Sequence, residues 1–280
     1  MFTKQFYPIL AVLSLSILLI SCATTGPGGK KSLILVPVGQ EVAIGQGMAE
    51  RVAQTEKTFG NAEWQQYLAE VGQKIVAVCD RRDIEYHFTV IESDQINAFA
   101  APGGYIYFYT GLLREMKDES EMAAVMAHEI SHVVARHSVK RIQAVLGVAA
   151  AYQLAFGSEG ASEIVDAAIN IGMGLAFSSY SRENEREADQ YGLHYLVKAG
   201  YDPRGALGMY ETLARLGGGG ASNVFEQLSS THPETKERIA NARALIASMK
   251  PLPSSLTRGE SRYRRMADSL PAKAEAGGGK

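Results

Sequence analysis

Apolar residues recur at helical spacing in the first third of the chain, at positions 64, 67, 68, 71, 75 and 79. This spacing predicts an amphipathic helix over 62–79 that packs against a core. The next segment, IEYHFTVIE at 84–92, alternates apolar and polar residues. The alternation predicts a half-buried strand with His87 on its polar face.

The segment INAFAAPGGYIYFYTGLL, at 96–113, predicts two short extended pieces around a Pro-Gly-Gly turn. The rest of the pattern is nearly all helical: 119–139, 141–156, 161–177, 181–199, a helix opened by Asp202-Pro203, and 234–248. Gly217–Gly220 predict a flexible loop, and from Pro251 onward no apolar period survives. We therefore expect a mostly helical α+β domain over 40–250 and a mostly disordered tail over 251–280.

The two apolar helices at 141–177 have two interpretations. They could span a membrane, but each is shorter than ~20 residues. Four polar residues also interrupt them: Gln143, Gln153, Asp166 and Asn170. The pattern favours buried or membrane-facing amphipathic helices over membrane spans.

The N-terminus reads as an export signal. Lys4 precedes an apolar run from Ile9 to Ile20, which ends in LISC at Cys22. This boundary resembles the lipobox of bacterial lipoproteins, so we predict a signal peptide over 1–21 and a lipid on Cys22. The alternative is an ordinary signal peptide in which Cys22 is incidental. Ala23 follows, where an Asp would suggest inner-membrane retention, so we expect the periplasmic face of the outer membrane in a Gram-negative cell.

Composition narrows the choice of partners. The chain has 280 residues, 46% of them apolar, and a formal net charge of −2, which becomes −3 when Lys4 leaves with the signal peptide. No basic stripe indicates nucleic acid. Residues 22–39 include a Gly-rich stretch typical of a tether. The other cysteine, Cys79, falls at an apolar position of the 62–79 helix and is predicted to lie in the core.

The stretch AVMAHEISHVVARH places His128, Glu129 and His132 inside an apolar run. On a helix, His128 and His132 lie one turn apart and can bind one ion. This is the HExxH arrangement, in which two His bind zinc and Glu129 is the general base of a metalloprotease.

A third ligand is available in SYSRENEREADQYG. Glu185 and Asp189 are four residues apart, so Glu185 can complete a His₂Glu site with one zinc per chain, and Asp189 can accept a hydrogen bond from the outer nitrogen of His128. Taken alone, this run is also typical of a solvated helix face. His137 follows His128 by nine residues, roughly half a turn round, and is expected to face away from the ion, as is His194 relative to Glu185.

Four motifs together, HEISH, SRENEREAD, NAFAAPGGYIYFYTGLL and STHPETKERI, resemble the HtpX/BepA-type zinc metallopeptidases, a family that includes the CAAX prenyl endopeptidases. The resemblance implies a gluzincin-like fold with a small β-sheet beside the HExxH helix. It implies that the strand with Asn97, Ala98 and Phe99 pairs with substrate backbone. It also implies that His232 and Arg238 reach the cleft, where His232 either stabilises the oxyanion or occupies the fourth zinc position in the resting enzyme.

These features predict a zinc endopeptidase that acts on unfolded or misassembled envelope proteins. The alternative is a latent peptide-binding or chaperone-like lipoprotein that uses the same cleft. An intact Glu129 favours the enzyme, since binding a peptide needs no general base.

Overall fold

A computed structural model of the chain describes residues 22–24, 31–156, 161–218 and 235–273. The strands are β1 (Cys22–Thr24), β2 (Lys31–Leu33), β3 (His87–Ile91), β4 (Ala98–Ala101) and β5 (Tyr105–Tyr109). The helices are α1 (Val38–Thr55), α2 (Ala62–Val76), α3 (Thr110–Glu115), α4 (Glu119–Val134), α5 (His137–Phe156), α6 (Ala161–Ala176), α7 (Arg182–Lys198), α8 (Arg204–Gly218), α9 (Thr235–Ser248) and α10 (Glu260–Ala267). The expected mostly helical α+β fold is confirmed.

A three-stranded mixed sheet lies at the centre, in the order β3-β5-β4. Strand β5 pairs parallel with β3 and antiparallel with β4, with Phe108 opposite Ala98. The turn between β4 and β5 requires glycine, because Gly103 and Gly104 have φ of 72° and 92°. Because β5 lies between β3 and β4, strand β4 is at an edge of this sheet.

Apolar residues cover both faces of the sheet. Ala98, Ala100, Ile106 and Phe108 face a core shared with α2, α4, α7 and α8. The alternate residues Phe99, Ala101, Tyr107 and Tyr109 face a second core, formed with α1, α5 and α6. This period of two is what an extended strand buried on both faces requires. Cys79 lies in the first core, as predicted, with 1% of its surface exposed.

The C-terminal segment differs from its prediction. Residues 251–273 are described, and α10 packs against the first core through Tyr263, which is 1% exposed and donates a hydrogen bond of 2.5 Å to the Leu113 carbonyl. The Trp64 ring meets the Tyr263 ring edge-on at 6.0 Å. Met266, Ala267 and Leu270 pack against the same core beside Tyr263, so the prediction overlooked a short apolar repeat at positions 263, 266, 267 and 270 among charged residues.

The region predicted as a tether also contains structure. Strand β1 pairs with β2 so that Cys22 lies opposite Leu33, and Ile34 and Val36 are buried in the second core. Helix α8 extends through Gly218, whereas Gly219 and Gly220 lie outside the described residues. Within the described ranges, none of the helices combines the length and the apolar character needed to cross a membrane.

Candidate metal centre

Helix α4 presents the HExxH motif from inside the core. Asp118 caps its N-terminus by accepting a hydrogen bond from the Glu121 amide. His128, Glu129 and His132 are 6%, 2% and 1% exposed. Charged and polar side chains at this depth need partners, so their surroundings indicate their role.

Helix α7 brings the third candidate ligand to the histidines. Ser181 caps the helix, and Glu185 in the first turn is 2% exposed. The two helices approach closely at Gly192, where a Cβ atom would lie 3.1 Å from the His128 backbone nitrogen. A side chain here would push α7 away from α4 and carry Glu185 away from the histidines.

The donor atoms of His128, His132 and Glu185 converge. The two Nε2 atoms are 3.0 Å apart, and the Glu185 oxygens lie 3.5 Å from His128 Nε2 and 3.4 Å from His132 Nε2. Tetrahedral ligands about 2.1 Å from a zinc ion are about 3.4 Å from one another. The three side chains therefore fit a metal ion of this size and geometry.

The outer nitrogen of His128 meets a carboxylate. His128 Nδ1 lies 2.9 Å from Asp189 Oδ1, the contact expected from the spacing of the two helices. Arg238 binds both oxygens of Asp189, at 2.7 and 2.8 Å, and Tyr210 donates to Oδ1 at 2.8 Å. Burial alone would raise the pKa of Asp189, but Arg238 and His128 outweigh it and lower that pKa well below its ordinary value. Asp189 is therefore an anion that can orient His128.

The surroundings of His132 correct the prediction for His137. His137 does not face away: its Nδ1 lies 2.9 Å from His132 Nδ1, and its Nε2 lies 3.5 Å from Glu187. The Tyr180 ring stacks on His132 with 4.1 Å between centroids. Burial lowers the pKa of both His132 and His137, which favours the neutral imidazole that metal binding needs.

A break in the helix explains the error. Helix α4 ends at Val134, and Arg136 adopts the left-handed conformation with φ of 53°, so the helical phase that placed His137 on the far side does not continue. Glu41 pairs with Arg136 at 2.7 Å, and the Val36 carbonyl accepts a hydrogen bond from the same guanidinium at 2.6 Å. These contacts join α1 to the end of α4 and hold the turn.

A largely apolar pocket opens beside Glu129. His128, Glu129 and Arg238 provide its polar lining; the remaining lining residues are Ala98, Leu112, Ala124, Val125, Ala206, Met209, Tyr210 and Leu213. Glu129 therefore faces a space that can hold part of a ligand next to the donor cluster. Arg238 reaches the same space, where the family resemblance had suggested it.

The predicted substrate strand lies partly at this pocket. Ala98 lines it, and Asn97 is fully buried just before β4, with neither side-chain polar atom hydrogen-bonded within the described residues. Phe99 points to the opposite face of the sheet, where it stacks on Tyr107 at 4.7 Å. The backbone of Phe99 faces β5, because Asn97, two residues earlier, accepts a hydrogen bond from the Tyr109 amide, so it is the backbone of Ala98 that faces the free edge beside the pocket. His232 lies outside the described residues.

Three residues of this site gave no usable signal in the sequence. Glu187 lies two positions from Glu185 and two from Asp189, the carboxylates predicted for the site. Tyr180 precedes α7, and Tyr210 belongs to α8. The run of charges at 182–189 masks Glu187, because such runs are usually solvated. The 8% exposure of Glu187 distinguishes it from the solvated charges of this run.

Comparison with known proteins agrees with this geometry. The model of peptidase family M48 matches residues 62–246. The β-barrel assembly-enhancing protease of Escherichia coli K12 is 29% identical over 223 residues, covering 77% of this chain and 45% of the relative. Mitochondrial metalloendopeptidase OMA1 of Schizosaccharomyces pombe is 37% identical over 175 residues, covering 62% of this chain and 50% of the relative.

Metalloprotease YcaL of Escherichia coli K12 is 28% identical over 255 residues, covering 86% of this chain and 98% of the relative. The chain spans about half the length of the β-barrel assembly-enhancing proteases and of the OMA1 protein. The matched range contains the HExxH helix, Glu185 and Arg238 together. The chain therefore belongs to peptidase family M48.

Proposed function

We propose that this protein is a zinc-dependent endopeptidase that hydrolyses unfolded or misassembled cell-envelope proteins in the periplasm. The observation that carries the proposal is the set of donor distances, 3.0 to 3.5 Å, among His128, His132 and Glu185, with Glu129 buried beside them at an open pocket. Two imidazoles and one carboxylate leave a fourth tetrahedral position open, which is typical of catalytic zinc.

The residues of the site divide the chemistry among them. His128, His132 and Glu185 would hold the zinc ion, which would supply a Lewis acid for the scissile carbonyl and would lower the pKa of water to ~7. Glu129 is the general base that takes the proton of the attacking water and returns it to the leaving amine. Arg238 lines the pocket and holds Asp189. His232 is proposed either to stabilise the oxyanion or to occupy the fourth zinc position in the resting enzyme.

Strand β4 is the proposed substrate platform. It is an edge strand, and its first residue, Ala98, lies at the pocket that contains Glu129. The unpaired amide of Asn97 is proposed to bind substrate backbone. Recognition through backbone requires an extended chain, which favours unfolded substrates over folded ones.

The cellular role rests on two supports. One is the LISC boundary at Cys22, from which we propose a lipid anchor at the outer membrane. The other is the name of the β-barrel assembly-enhancing proteases, which connects those relatives with β-barrel assembly. From these we propose that envelope proteins are the substrates of this chain.

The purified protein should contain about one zinc ion and digest casein, and a chelator should stop the digestion until zinc is restored. Glu129→Gln should keep the zinc and lose ~10²- to 10⁴-fold in turnover, because it removes the base and leaves the ligands. Glu63→Gln, the same change at an exposed position, is the control. Equal turnover in wild type and Glu129→Gln would exclude the mechanism and favour a latent binding protein.

The substrate class needs a separate comparison. An outer-membrane β-barrel protein should be cleaved when it is unfolded and spared when it is folded in detergent. Equal cleavage of both forms would contradict recognition of extended backbone. Cleavage of casein with no cleavage of either form would leave the peptidase intact and remove the proposed substrate class.

A further inference from the structure

The outer ring nitrogen, Nδ1, contacts a different group in each of the two histidines. In His128 it contacts the carboxylate of Asp189, whereas in His132 it contacts a second imidazole, with 2.9 Å between the two Nδ1 atoms. That imidazole belongs to His137, whose side chain is fully buried, and its far nitrogen Nε2 lies 3.5 Å from Glu187 Oε2. Glu187 is on α7, the helix that also carries Glu185 and Asp189.

The contact between the two Nδ1 atoms fixes where the hydrogens lie. His132 Nε2 is 3.0 Å from His128 Nε2 and 3.4 Å from Glu185, so it faces the ligand cluster and must keep its lone pair to bind a metal. A neutral His132 then carries its hydrogen on Nδ1 and donates it to His137 Nδ1. His137 in turn carries its hydrogen on Nε2, on the side of Glu187.

Stacking on Tyr180 and the hydrogen bond to His137 constrain the His132 ring in different ways. Tyr180 stacks on the ring with 25° between the planes, and its hydroxyl contacts Ser138 Oγ at 2.8 Å. Stacking fixes the plane of the imidazole, but a half-turn about the Cβ–Cγ bond keeps that plane and moves both ring nitrogens. The hydrogen bond to His137 sets that rotation and so determines where Nε2 points.

We propose that His137 and Glu187 form a positioning pair that holds His132 in the tautomer and rotation required for metal binding. This inference rests on the proposed zinc site. The two ligand imidazoles are then oriented by different means, His128 directly by the Asp189 carboxylate and His132 through an intervening imidazole. Both carboxylates come from α7, so one helix supplies a ligand and orients the other two ligands.

The test measures zinc affinity by competition with a chromophoric chelator. His137→Leu removes the acceptor and should weaken zinc binding ~10- to 100-fold. His137→Asn keeps an acceptor oxygen near the position of Nδ1 and should remain within a few-fold of wild type. Glu187→Leu should weaken binding several-fold and add little to His137→Leu, because the two residues act in one chain.

The matched control is His194→Leu, which removes a half-buried imidazole from α7 and should leave zinc affinity unchanged. Cobalt(II) substitution gives a second readout: the visible bands should shift in His137→Leu and keep their wild-type positions in His137→Asn. If His137→Leu does not fold, Glu187→Leu and His137→Asn carry the comparison.

Three outcomes would overturn the inference. They are wild-type zinc affinity in folded His137→Leu, wild-type affinity in Glu187→Leu, or affinity in His137→Asn as low as in His137→Leu, which would indicate packing alone. If the wild-type protein binds about one zinc and cleaves casein in such a case, only this inference fails. If the wild-type protein binds no zinc, the proposed function fails with it.

Discussion

At the scale of single residues, the site depends on charges that compensate one another away from water. Asp189 is 9% exposed and Arg238 8%, and the guanidinium binds both carboxylate oxygens. Burial would lower the pKa of Arg238, but the charge of Asp189 outweighs it and raises that pKa well above its ordinary value. The pair is therefore ionised, and removing one partner leaves the other buried without its main counter-charge.

Asp189→Ala should weaken zinc binding ~10- to 100-fold, because His128 loses its orienting acceptor. It should also lower the free energy of unfolding of the metal-free protein by about 3 kcal/mol, because Arg238 stays buried and keeps only the longer contact, 3.6 Å, to Glu185. The measurements are chelator competition and urea unfolding.

The double variant Asp189→Ala/Arg238→Ala serves as the comparison. It should recover part of the lost stability, since neither charge remains, while zinc binding stays weak. Wild-type zinc affinity in Asp189→Ala would contradict the role given to this carboxylate.

The sequence predicted the site residues that follow helical spacing and misplaced His137, which does not. His128, His132, Glu185 and Asp189 are each four residues from a partner, and the structure brings all four together. His137 was placed on the wrong side because Arg136 interrupts the helix in a left-handed conformation. That conformation depends on Glu41, far away in the chain, and local spacing carries no information about such a contact.

At the scale of elements, periodicity was informative wherever a face packs over several turns. The predicted helix at 62–79 is observed over Ala62–Val76, and the predicted strands around Pro102 are β4 and β5. The segment after Pro251 shows the opposite case. Its apolar repeat covers only about two helical turns around Tyr263, and polar contacts hold the rest, among them Arg258 donating to Asp118 at 2.8 Å beside the start of the HExxH helix.

These contacts predict that the C-terminal segment stabilises the domain. Tyr263→Ala should lower the free energy of unfolding by about 3–5 kcal/mol, because it opens a cavity beside Trp64 and leaves the Leu113 carbonyl without its donor. Arg264→Ala, one position on and exposed, should leave the unfolding midpoint essentially unchanged. Urea unfolding of both variants measures this, and equal midpoints for wild type and Tyr263→Ala would mean that the segment contributes nothing.

At the scale of the whole molecule, the proposed anchor and the catalytic domain are close in the chain and in the fold. Cys22 lies opposite Leu33 in the short β1–β2 pair, and the Leu33 carbonyl accepts a hydrogen bond from Gln143 on α5 at 3.2 Å. A lipid on Cys22 would therefore hold α5 near the membrane surface. The formal net charge, −2 for the full chain, gives no electrostatic attraction to anionic headgroups, so the acyl chains would supply the affinity.

Cys22→Ser should therefore move the protein from the membrane fraction to a soluble or unprocessed form, since serine cannot be acylated through sulfur. The released protein should keep its zinc and its casein-digesting activity, because Cys22 lies outside both cores and away from the metal ligands. Fractionation of cells and mass spectrometry of the wild-type N-terminus measure the two halves of this prediction. An unmodified Cys22 in the mature wild-type protein, or a Cys22→Ser variant that stays with the membrane after processing, would mean that another feature of the chain holds it there.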